Sequence, residues 1–133
     1  MIWAKEKFAA VPNKNVVLPD LGLPVKPFTE KNLQVITKLQ PIKDNDLLEM
    51  LWILPNLEKE YTTKPLEYFS HLFGHEGENS LLSYLKQEDY AMALSASSEH
   101  EMSVFSSFNI EITLTKNGLA HVNDVVSAVF KYA

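Results

Sequence analysis

The stretch MSVFSSFNIEITLTKNGLAHVNDVVSAVF, residues 102–130, carries both periodicities that decide the fold. Met102, Val104, Ser106, Phe108, Ile110, Ile112 and Leu114 point one way, and Ser103, Phe105, Ser107, Asn109, Glu111 and Thr113 the other. A period of two marks a strand whose two faces meet different surroundings. At Thr115 the period changes. Thr115 is placed to cap a final helix, with Leu119, Val122, Val126 and Val129 as its core stripe.

Working back towards the N-terminus, Glu99, His100 and Glu101 read as a solvated turn, and a short strand is expected around Ala91–Ser98. Asn79 or Ser80 caps a helical piece carrying Leu81, Leu82 and Leu85. Thr62, Thr63 and Pro65 start an earlier helix on which Leu66, Phe69 and Phe73 recur at helical spacing, and Gly74 and Gly77 weaken its end. Leu47 to Leu54 is apolar at nearly every position except Glu49. Such a strand is expected to be covered on both faces, the second by another domain. Pro55 and Asn56 stop it, and Pro41 to Asp46 reads as a polar turn. Leu33, Val35, Thr37 and Leu39 alternate with Gln34, Ile36, Lys38 and Gln40, predicting one more strand. The expected order is ββαββα, an α+β fold whose antiparallel sheet carries both helices on one face. Trp52 and Phe105 are expected on the other face, as a surface that other domains cover. Exposed apolar surface of that kind drives association, so self-association of the chain is expected.

Residues 1–30 differ from the rest. Pro12, Pro19, Pro24 and Pro27 crowd a short span with Gly22 among them. Proline fixes φ and lacks a donor, so this part reads as an extended connector from a preceding domain, with an α+β domain over 31–133.

The 133 residues suffice for one domain with a core. Net charge is −5 and no Lys cluster is present, which argues against nucleic-acid binding. With no cysteine, disulfide frameworks and thiolate metal sites are excluded. The first residues, MIWAKEKFAAVP, lack a secretory pattern, and no apolar run approaches membrane-spanning length. A cytoplasmic protein without membrane association is expected. No serine sits in a nucleophile turn.

His71 and His75 stand at i and i+4, on one helix face, as in His-x-x-Glu-His peptidases. The residue before the second histidine would be the water-activating Glu; here it is Gly74. Glu76 as a third ligand lies about 100° round the helix from its neighbour His75. One helix struggles to present all three donors to zinc, so no catalytic residue and no metal ligand is assigned. Histidines near a helix end with a structural role are the plainer alternative.

Further elements carry a resemblance. They are Asn13-Lys14-Asn15-Val16 with Leu18-Pro19, Pro41-Ile42-Lys43-Asp44, Leu54-Pro55-Asn56-Leu57 with Tyr61, and Lys64-Pro65. His71-Leu72-Phe73-Gly74-His75-Glu76-Gly77 follows, then Ser80-Leu81-Leu82-Ser83, and Leu114-Thr115, Gly118-Leu119 and His121-Val122. In this order they make the chain resemble the pitrilysin/insulinase family of zinc metallopeptidases. The matched part is the connector leaving the first domain and the front of the second, non-catalytic one.

The resemblance implies a partial LuxS/mitochondrial-processing-peptidase-like metallohydrolase fold and a place in a longer peptidase. Zinc would then belong to that enzyme's catalytic domain, and this chain would be inactive alone. It also implies an exosite that anchors the N-terminal region of a peptide substrate. Carried over, this role falls on His71, Gly74 and Glu76, with Leu94, Ser95 and Ala96 as an edge strand that accepts extended peptide. The chain departs from the family at Glu67, where His is common, at Ser70, where Gly is, and at Ser95-Ala96-Ser97, which replaces a glycine pair. The expected partners are peptides and the other domains of the enzyme. The competing expectation is a stand-alone peptide-binding or dimerisation module.

Overall fold

The chain is seen here as a computed structural model that describes residues 2–17, 28–40, 42, 45–102 and 104–133. Its elements are α1 (Ile2–Phe8), β1 (Leu47–Leu54), α2 (Pro65–Phe73), α3 (Leu81–Gln87), β2 (Ala91–Glu101), β3 (Ser106–Leu114), α4 (Lys116–Ala120) and α5 (Val122–Tyr132). The architecture is α+β. β3 is the central strand of a three-stranded antiparallel sheet in the order β1-β3-β2.

Register follows from the alternation. Ile112 lies between Leu48 and Leu94, and Ile110 between Met50 and Ala96. This face meets the helices. Phe108, Ile110, Ile112 and Leu114 are buried with Leu66 and Phe73 of α2, Leu81, Leu82 and Leu85 of α3, and Val125, Ala128 and Val129 of α5. Each fully buried side chain of this size contributes roughly 1.5–3 kcal/mol relative to an exposed one, and this layer carries the fold. Ser80 caps α3 by accepting from the Ser83 backbone N–H at 3.1 Å. Thr115 caps α4 by accepting from the Gly118 N–H at 2.9 Å.

Several expectations change. Residues 33–40 form no strand, so the described sheet has three strands instead of four. Gln34 has φ 58, a left-handed conformation that interrupts an extended strand, and Leu33, Val35, Ile36 and Leu39 are exposed. Alternation without a partner edge makes no strand. β2 runs on to Glu101 through a register irregularity after Ser98, so Glu99–Glu101 are strand. The Met102 N–H donates to the Phe105 carbonyl at 2.9 Å, and β3 begins only at Ser106.

The last helix is two helices. The chain breaks at His121; beyond it Val129 is buried and Val122 packs on the core as expected, but Val125 and Ala128 are buried with them, while Leu119 is exposed and Val126 half-buried. Gly118 at this corner is required: a Cβ there would overlap the Tyr90 carbonyl oxygen. Trp52 pairs with Phe108 across β1 and β3 and so points to the helix face, with its ring 6.0 Å from Phe108 and 6.2 Å from Phe130. Phe105 precedes β3 and meets Phe28 edge-on at 5.1 Å. Within the expected extended connector, residues 2–8 are helical because they lie ahead of the first proline, Pro12. Pro19, Gly22, Pro24 and Pro27, and Pro41, Lys43 and Asp44 of the expected turn, lie outside the described residues.

Candidate functional site

The candidate site lies where the C-terminal end of α2 meets β2. Pro65 opens α2 at a position where its missing donor costs nothing, after Lys64 in a left-handed conformation. Leu66 and Phe73, both buried, pin one side of the helix. The Ser70 hydroxyl donates to the Leu66 carbonyl at 2.8 Å, and the Gly74 N–H donates to the Ser70 carbonyl at 2.9 Å, closing the last turn. A Cβ on Gly74 would stand 2.8 Å from the Ser70 carbonyl oxygen and 4.0 Å from the Ala96 backbone nitrogen. The tight contact is with the helix's own last turn, and the distance to the strand is an ordinary van der Waals one.

The result is an open groove of about 520 Å³. Its walls contain all six residues singled out in the sequence: His71, Gly74 and Glu76 from the helix end, and Leu94, Ser95 and Ala96 from β2. Leu94 is buried and roots the strand, while Ser95, His71 and Glu76 are exposed. Ser70 and His75 also line the groove and had not been assigned to it. Ser70 was legible in principle, because it stands four residues before Gly74 and therefore on the same helix face. One edge of β2 pairs with β3; among the described residues no strand occupies the other.

The groove has the means to hold a peptide. It offers an exposed carboxylate and, among the described residues, an unpaired strand edge. It carries no glutamate at the position where His-x-x-Glu-His peptidases place their general base. The His71 and His75 rings lie 6.2 Å apart, centroid to centroid, with Gly74 where a general base would stand. Among the described residues, the one group of three His or acidic side chains with ligand atoms within 4.8 Å of one another is Glu49, Glu99 and Glu111, on the sheet. The zinc that the family resemblance implies therefore has no fitting donor set in this groove, and no step is routed through it. His121 accounts for itself locally: its Nδ1 lies 2.9 Å from the Asn117 carbonyl oxygen and its ring stacks on Tyr90 at 5.4 Å. No helix among the described residues is long and apolar enough to cross a membrane.

Comparison with known proteins gives one family. The chain is similar to human nardilysin, with 35% identity over 98% of this chain and 12% of nardilysin. It is similar to human insulin-degrading enzyme, with 40% identity over 94% of this chain and 12% of that enzyme. Among solved structures it is similar to pitrilysin, with a TM-score of 0.62 and 25% identity over 66% of this chain and 10% of pitrilysin. The chain thus spans about an eighth of the curated relatives it matches. The family model described as "Peptidase M16 inactive domain" matches residues 1–133, the whole of the sequence, and the chain belongs to that family.

Proposed function

We propose that this chain is a non-catalytic, substrate-anchoring part of a longer insulinase-like zinc metalloendopeptidase. The observation that carries this reading is the single groove that gathers His71, Gly74 and Glu76 against Leu94, Ser95 and Ala96. A peptide's terminal ammonium would sit near the Glu76 carboxylate and the negative end of the α2 dipole. Its backbone would extend along β2 by strand addition. Zinc and the general base would be supplied by another domain of the longer cytoplasmic enzyme. Residues 1–30 would be the connector from that domain and 31–133 the anchoring domain, in a LuxS/mitochondrial-processing-peptidase-like fold.

The test is a titration of the chain with an extended peptide, followed by backbone amide NMR. The free-amine peptide should shift the amides of Leu94, Ser95 and Ala96. Glu76→Gln keeps the shape and removes the charge. A partly exposed ion pair contributes about 1 kcal/mol, so affinity should fall several-fold. An N-acetylated peptide should bind equally to both proteins. If Glu76→Gln weakens free and acetylated peptides alike, Glu76 is structural and the anchoring role falls.

A further inference from the structure

Away from the groove, on the sheet face turned from the helices, Glu49 of β1 and Glu111 of β3 are direct cross-strand partners. Glu99 of β2 joins them, and one carboxylate oxygen from each lies within 4.8 Å of the others. Glu49 and Glu99 are exposed and Glu111 is half-buried. Among the described residues no Lys pairs with any of the three, and the sequence has no Arg. An acidic cluster of this kind is common on a solvated surface and by itself means little.

The residue inside the cluster is what sets it apart. Asn109 stands two positions from Glu111 on the same face of β3 and is only 2% exposed. Its Nδ2 donates to Glu99 Oε1 at 3.2 Å, which ties the amide to that carboxylate. Its Oδ1 is buried and has no hydrogen-bond partner. Buried carbonyl oxygens are nearly always satisfied, so this one needs a partner that the chain does not supply, a water or a cation. The three carboxylates meanwhile repel one another at close range.

One class of ligand relieves both costs. We infer that Glu49, Glu99, Glu111 and the Asn109 Oδ1 form a site for a hard divalent cation of the calcium class. The donors are all oxygen, which suits calcium and magnesium; there is no His or Cys to favour zinc. Calcium accepts irregular oxygen sets completed by water, whereas magnesium demands a near-ideal octahedron. Three carboxylates from three strands, with a buried amide beneath, match the more tolerant ion. Binding would tie both edge strands to the central one on the face that the helices leave bare.

The test is calorimetric titration of the chelator-stripped full chain with CaCl2 at constant ionic strength, with MgCl2 in parallel. The expected result is one calcium per chain with a dissociation constant of about 0.1–1 mM, the range of weak protein calcium sites, and weaker magnesium binding. Glu49→Gln with Glu111→Gln should weaken calcium at least tenfold. A control pair remote from the cluster, Glu78→Gln with Glu88→Gln, should leave it unchanged. Asn109→Leu, which keeps all three charges, should weaken it several-fold; if that protein does not fold, the glutamate pair alone decides. Absence of saturable calcium uptake, or an equal loss in the control pair, overturns the site.

Discussion

On one face of β3, Phe108, Ile110, Ile112 and Leu114 disappear beneath α2, α3 and α5. On the other, Ser107, Asn109, Glu111 and Thr113 lie between Leu47, Glu49, Leu51 and Ile53 of β1 and Ala93, Ser95 and Ser97 of β2. One alternating stretch writes both faces, yet only the first is a core. The second mixes leucines, glutamates and serines, with Leu47 and Leu51 about half exposed, at 48% and 51%. A face so mixed neither packs as a core nor reads as a fully solvated surface. The contrast teaches that the helix face supplies the apolar core, while the other buries the polar Ser107 and Asn109 along the central strand and leaves its edge leucines half exposed.

The contrast is broken most directly by truncating each face in turn. Ile110→Ala, at a position with no exposure, should cost about 2–5 kcal/mol and shift a urea unfolding midpoint far down. A loss below that range would mean that the helix layer is not the main support. Thr115→Ala removes the cap that places α4 beside the sheet and should cost about 1 kcal/mol by the same measurement. On the bare face, Leu51→Ala should change stability by no more than about 0.5 kcal/mol, as surface positions do. A loss comparable with that of Ile110→Ala would show that Leu51 is covered in solution, most simply by self-association, which sedimentation equilibrium would detect. The smallest effect has the opposite sign. Glu49→Lys turns a like-charged cross-strand pair with Glu111 into an attractive one. Without divalent ions it should stabilise by at most about 0.5 kcal/mol, an effect that high salt removes. With calcium present the order should reverse, because the wild-type chain gains the ion and the variant does not.

Much of the fold was legible from local pattern. β1 runs over Leu47–Leu54 as the apolar stretch predicts, α3 follows Ser80 with Leu81, Leu82 and Leu85 buried, and α2 starts at Pro65. These depend on caps, proline and short-range periodicity. The misses share another cause. Residues 33–40 alternate well enough for a strand, but Gln34 turns left-handed and no edge receives them. Trp52 was placed on the wrong face because its direction depends on register with Phe108. In the last helix Val129 is buried and Val122 packs on the core as the spacing predicts, but Val125 and Ala128 join them, while Leu119, ahead of the His121 break, is exposed.

The candidate groove divides in the same way. Its residue types were readable as chemistry: two histidines at helical spacing, a glycine in place of the general base, a carboxylate next door, a strand twenty residues on. That the end of α2 and residues 94–96 of β2 line one groove, and that Glu49, Glu99 and Glu111 converge with Asn109 bound to Glu99, came only from the tertiary structure. Hydrophobic period and capping are local, so a single sequence determines them. Which strands pair, in which register, and which charges then face one another depends on burial summed over the whole sheet. That sum exists only once the chain has folded back on itself.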